Sequence, residues 1–189
     1  MTKGASRNIV RNDQEKIEKK LLTNRGLSCI MVLQSRKEVD TMTIYLDLDG
    51  TVADLYGDPN WLAKLEASDA SVYANARPLV HLSTLARYLN RLQARGYNIG
   101  IISWLSKSGT DKFNAEVAEV KREWLAKHLP SVKWDEIHIV PYGVPKSTCA
   151  TCPASILFDD EQRNLNEWTA NTHNMAYNAD LLMEILRHL

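Results

Sequence analysis

From residue 42 onward, hydrophobic and polar positions alternate between two periods. Thr43–Leu48 is a compact apolar run that reads as a buried β-strand. Leu79, Leu82, Leu85, Ala86, Leu89 and Leu92 recur at helical spacing, with Pro78 near the start and Gly96 placed as a stop. Asn98–Ser103 is a second strand. Phe113, Val117, Val120, Trp124 and Leu125 mark an amphipathic helix closed by Pro130. Glu136–Val140, Ser155–Phe158 and Met175–Tyr177 are strand-like, and Leu181–Leu189 ends the chain as a helix. Between these, Trp61–Leu65 suggests a short helix, and Ser147–Ser155, with Pro153, reads as a loop or a single turn. Strands alternating with helices predict an α/β fold, a parallel sheet covered on both faces.

The pattern weakens before residue 42. A charged stretch over 12–22 could form a helix, and an apolar patch over 27–33 comes after it. This divides the chain into an N-terminal extension, 1–41, and a regular domain, 42–189. The abrupt entry into the first strand at Met42 raises the expectation that Met42 is the initiator. The other reading of the extension is a mobile tail or partner-binding element.

The chain has 189 residues, enough for one domain with a real core. Its 23 basic and 23 acidic residues balance, which argues against a dedicated nucleic-acid or membrane-surface protein. The balance is uneven along the chain: residues 1–41 hold nine Lys/Arg against five Asp/Glu, leaving the remainder net acidic. Cys29, Cys149 and Cys152 are too few for a disulfide framework, which suggests a reducing, cytoplasmic setting. No apolar run approaches the length of a membrane span.

The candidate chemistry lies at the carboxyl ends of the predicted strands, where ligands bind in open parallel sheets. The first strand runs into Asp47-Leu48-Asp49-Gly50-Thr51. Residues two apart in a strand point the same way, so both carboxylates can converge. Two converging anions repel, so a divalent metal or a shared proton is expected. Ser103 ends the second strand, Lys146 follows the third, and Asp159-Asp160-Glu161 end the fourth. Carboxylates suit a hard cation, while Ser and Lys are donors for phosphoryl oxygens. Cys149-x-x-Cys152 has the spacing of half a zinc site, but no second pair completes it. The five histidines form no ligand spacing.

These four motifs, over about residues 43–177, resemble those of the haloacid dehalogenase (HAD) superfamily of phosphohydrolases. The resemblance implies a HAD-type Rossmann-like sheet and a Mg²⁺-dependent phosphomonoester hydrolase. It makes Asp47 the nucleophile that becomes an aspartyl-phosphate, and Asp49 the general acid and then base. Ser103 becomes the phosphate-binding hydroxyl and Lys146 the cation that neutralises nucleophile and phosphoryl group. The magnesium would be held by Asp47, by the backbone carbonyl of Asp49 and by Asp159, with Asp160 holding a coordinated water. Only twelve residues separate Lys146 from Asp159, where the family usually fits a helix, so the reach of Lys146 is an open question. A response-regulator receiver uses similar groups, but with its acidic pair first and its phosphorylated Asp later, the reverse of the order here.

In this family specificity comes largely from a cap. Only 55–77 are available for one, so a minimal helical cap and an open site are expected. Tyr56, Trp61, Tyr73 and Trp104 could stack on a base or sugar, or simply pack the cap against the core. The spacing of the motifs resembles the deoxyribonucleotidase branch, which implies a small phosphorylated substrate, a nucleotide. Trp168 and Trp124 also resemble features of polynucleotide 3′-phosphatase domains, which would act on a nucleic-acid end. A noncatalytic phosphate-binding protein of the same fold is the third alternative.

Overall fold

The computed structural model describes residues 41–189. The charged stretch 12–22, the apolar patch 27–33 and Cys29 lie outside the described residues.

Among the described residues, seven strands and six helices succeed one another in chain order: β1 (Thr43–Leu46), β2 (Ala53–Asp54), α1 (Trp61–Glu66), α2 (Ser71–Ala74), β3 (Arg77–Pro78), α3 (Leu82–Ala94), β4 (Asn98–Trp104), α4 (Asp111–His128), β5 (Glu136–Val140), β6 (Ser155–Asp159), α5 (Gln162–Thr172), β7 (Met175–Asn178) and α6 (Leu182–His188). Short 3₁₀ turns occur at Leu55–Gly57, Lys146–Cys149 and Ala179–Leu181. Five strands form one sheet in the order β5-β4-β1-β6-β7, every pairing parallel. This is the Rossmann-like α/β arrangement predicted. β1 is central, with Leu46 in register with Ile101 of β4 and Phe158 of β6.

The alternation within the strands divides the core. Ile44, Leu46, Ile99, Ile101, Ile156 and Phe158 face a cluster with Leu85, Leu89 and Leu92 of α3, Trp124 and Leu125 of α4, and Leu182 and Leu186 of α6. Tyr45, Ile102 and Leu157 face the other way and pack with Trp168 of α5 and Cys149. Cys149 is thus a packing residue, and Cys152 is half-buried with its thiol free. Among the described residues, no helix is long and apolar enough to cross a membrane.

Several boundaries differ from the sequence reading. β1 ends at Leu46 rather than Leu48, although the Asp47 amide still donates to the Phe158 carbonyl at 2.9 Å. α3 begins at Leu82 because Arg77–Pro78 pairs with Ala53–Asp54 in a small antiparallel sheet. Pro78 therefore sits in that small sheet, opposite Ala53, instead of opening a helix. His81 sits one residue ahead of that helix. α2 and α5 were not foreseen. Within α5 the buried face is only Asn164, Leu165 and Trp168, too few apolar positions to register as a periodic stripe. The segment between β2 and β3 carries α1 and α2, and its Leu55, Val72 and Tyr73 pack on Phe113 and Val117 of α4.

Gly100 marks the tightest point of the sheet. A Cβ there would lie 2.7 Å from ring carbons of the fully buried Tyr45. Gly100→Ala is therefore expected to overpack the core and cost about 1–3 kcal/mol, read as a lowered urea midpoint. An unchanged midpoint would contradict this packing.

Candidate active site

The carboxyl ends of β1, β4 and β6 open on one crevice, and the loop after β1 supplies its first residues. Gly50 adopts φ +75°, and a side chain there would collide with the Asp160 carboxylate. Glycine is needed both for the turn and for the close approach of the two acidic loops. Asp47 sits just past the end of β1. Asp159, the last residue of β6, is fully buried. Its Oδ1 accepts from the Glu161 amide at 2.9 Å and from Asn164 Nδ2 at 3.0 Å. Its Oδ2 accepts from Lys146 at 2.6 Å and from Asn164 at 3.1 Å.

Lys146 reaches the site. The predicted loop or single turn is a 3₁₀ turn, Lys146–Cys149, packed against α5. It brings Nζ to 3.0 Å from Asp47 Oδ1 as well as to Asp159. Burial works against the charge on this lysine, but Asp47 and Asp159 outweigh it and hold its pKa above the ordinary value.

Asp47 and Asp49 do not share a partner. Because both lie beyond the strand's last residue, the strand alternation does not govern them. Asp49 Oδ2 pairs instead with Nζ of Lys121, at 2.5 Å. Lys121 lies on α4 and is 1 % exposed. It also donates to Ser103 Oγ at 3.0 Å and to the Trp104 carbonyl at 2.5 Å. Lys121 was missed in the sequence, yet a signal was there. It falls one helical turn after Val117 and one before Trp124 and Leu125, an ammonium in an apolar stripe. Ser103 stands at the end of β4 as expected, but it is fully buried and absent from the cavity wall, where Ser106 is found instead.

The donor set fits a divalent cation. Oxygens of Asp47, Asp159 and Asp160 all lie within 4.8 Å of one another. Asp47 Oδ1 is shut off from solvent and accepts no hydrogen bond, its contact with Lys146 being an ion pair only. With Asp49, four carboxylates face two ammonium groups, so the fully ionised set carries a net charge equal and opposite to that of one Mg²⁺. All-oxygen ligands suit that hard cation. Burial pushes the Asp47 carboxyl up to about 8, with Asp159 and Asp49 adding to the rise against the pull of Lys146. Burial and then Asp159 push Asp160 up to about 6.

Above these groups is a cavity of about 540 Å³. Asp47, Asp49, Lys146 and Asp160 lie at one end. Leu55, Tyr56, Trp61, Leu65 and Tyr73 come from the segment between β2 and β3, and Trp104 and Tyr142 from the sheet side. Tyr56 and Trp61 meet edge to face, 5.2 Å apart. The Arg163 guanidinium lies 4.6 Å from the Trp104 ring centre and 5.1 Å from that of Tyr142. Tyr142 on the wall and Arg163 behind it carried no signal in the sequence, since loop and surface residues come to these rings only through the fold. None of the described histidines lines the cavity.

No protein-family model matches the chain, and no curated protein matches it in sequence. Similar solved structures include the D,D-heptose 1,7-bisphosphate phosphatase of Burkholderia thailandensis, with 12 % identity and a TM-score of 0.48, covering 78 % of this chain and 97 % of that one. The D,D-heptose 1,7-bisphosphate phosphatase of B. bronchiseptica, complexed with magnesium and phosphate, has 12 % identity and a TM-score of 0.46, covering 79 % and 100 %.

The raised carboxyls make metal binding pH-dependent. Below about 8 Asp47 holds a proton that a cation must displace. Mg²⁺ affinity is therefore expected to rise by up to about tenfold per pH unit from pH 6 toward 8, then flatten. Calorimetry in buffers of differing ionisation enthalpy should show proton release at pH 7. Pure heat of binding, identical across buffers, would contradict it.

Proposed function

We propose that this chain is a Mg²⁺-dependent phosphomonoester hydrolase of the HAD type. The observation that carries the reading is the convergence of Asp47, Asp159, Asp160 and Lys146 at the strand ends, with Asp49 beside them on the cavity wall.

Asp47 is the nucleophile. Its carboxylate oxygen forms a bond to phosphorus as the ester P–O bond breaks, giving an aspartyl-phosphate and splitting one hard hydrolysis into two easier steps. Asp49 gives its proton to the leaving oxygen. In the second half it takes a proton from water as that water attacks phosphorus, releasing inorganic phosphate and restoring both aspartates. Lys146 holds Asp47 in place and offsets the charge of the incoming phosphoryl group. Mg²⁺ held by Asp47, Asp159, Asp160 and the Asp49 carbonyl would supply further positive charge at the phosphoryl oxygens. Ser103, fully buried, supports the floor through Lys121, and Ser106 is one of the hydroxyls on the wall.

The substrate we infer is a nucleotide. The support is the aromatic lining, the Tyr56–Trp61 pair and the Trp104–Tyr142 pair, in the same cavity as Asp47, Asp49 and Lys146. Planar bases stack on such rings for about 1–3 kcal/mol each.

Phosphate release from deoxynucleoside and ribonucleoside monophosphates, sugar phosphates and a 3′-phosphorylated oligonucleotide tests the reading. Release should require Mg²⁺, and Asp47→Asn should abolish it. No release from any ester, with magnesium bound, would overturn the phosphatase. Trp104→Ala should raise KM for a nucleoside monophosphate roughly tenfold or more with little change in kcat. An equal KM for both proteins would remove the stacking role.

A further inference from the structure

A buried lysine the reaction does not use needs an account. Lys121 is held in the apolar face of α4, between Val117 and Trp124, and is 1 % exposed. An aliphatic side chain of similar length would fill that place without removing a charge from water, which is why buried ion pairs are weak evidence for stability alone. The ammonium has three donors and no acceptor. All three are taken, by Asp49 Oδ2, Ser103 Oγ and the Trp104 carbonyl. None is left for a phosphoryl oxygen, so Lys121 does not bind substrate. Its Nζ also lies 4.8 Å from the centre of the Tyr73 ring on α2.

We propose that Lys121 is a positioning residue that fixes the Asp49 carboxyl for proton transfer to the leaving oxygen, an inference that rests on the phosphatase reading. Asp49 lies three residues past the end of β1, in a loop whose backbone is bridged to Ala53, a bridge that leaves the orientation of its carboxyl unset. Among the described residues its carboxylate takes hydrogen bonds only from Lys121, through Oδ2. That leaves Oδ1 for the proton in flight. A proton donor acts only within hydrogen-bond reach of its target, and the Lys121 contact sets that reach. Anchoring to Trp104 O and Ser103 Oγ ties the carboxyl to the rigid end of β4 rather than to its own loop.

The leaving group tells positioning apart from packing. A 4-nitrophenyl ester departs as a stable anion and hardly needs a proton, whereas an alkyl ester needs one. kcat/KM covers the half-reaction in which that group leaves, and the later hydrolysis of the aspartyl-phosphate is common to both esters. With Mg²⁺ present, Lys121→Met should keep kcat/KM on 4-nitrophenyl phosphate within about threefold and lose about 10²-fold on an alkyl phosphate. Lys121→Arg should recover part of the loss. On the alkyl ester, Lys121→Met added to Asp49→Asn should cost nothing beyond Asp49→Asn alone. Should Lys121→Met fail to fold, Lys121→Gln is the second variant: its amide is one bond too short to hold Asp49 Oδ2, and the same selective loss is expected. Equal losses on both esters in a folded variant, or no loss at all, would overturn the proposal while leaving the phosphatase standing. A wild-type protein silent on both esters would remove the phosphatase reading and this inference with it.

Discussion

Four carboxylates can crowd the end of one sheet here because two ammonium groups are buried among them, and much of the local architecture serves to deliver those two cations. Lys146 arrives on a 3₁₀ turn from the far side of β1. Lys121 arrives through the helix that packs on the opposite face. Each pair costs desolvation, and each becomes hard to remove once made, since an orphaned buried charge costs about 3–5 kcal/mol. The two cations still leave the set negative, and burial, reinforced by the neighbouring carboxylates, makes Asp47 and Asp160 hold their protons more firmly. Fold and metal affinity thus answer to the same charge balance.

The parallel sheet was legible because its strands are short, apolar and bounded by clear breaks. The ends of β4 and β6 were legible to within one residue for the same reason, and so were the acidic groups near the ends of β1 and β6, although β1 itself stops two residues early. Position along a strand is a local property, and sequence reads local properties well. The partition of Asp47 and Asp49 between two lysines was not legible. It depends on the loop after Leu46 leaving the strand geometry two residues early, and on a helix far along the chain. Tyr142 and Arg163 were invisible on the same grounds. α5 was hidden for a different reason: it buries an asparagine, Asn164, whose amide serves Asp159 rather than the core. A polar residue with a structural duty erases the periodicity that would have announced the helix.

Lys121 has no individual mark in the sequence because a lysine on a helix ordinarily faces solvent. The stripe Phe113, Val117, Trp124 and Leu125 surrounds it with buried neighbours on both sides. A single cation in an otherwise apolar stripe is informative because its burial is unfavourable unless a partner waits for it.

α4 touches three parts of the protein along one face. Phe113 and Val117 lie beneath the segment between β2 and β3, Lys121 lies beneath Asp49, and Trp124 and Leu125 belong to the main core. Each residue added to an α-helix rotates the remainder of the helix by about 100°. One amino acid inserted between Val117 and Lys121 would therefore swing the ammonium off its carboxylate while leaving every side chain chemically intact. Loops elsewhere can lengthen, but this helix is a gear with fixed teeth, and over these two turns its count of residues constrains the chain as firmly as their identity.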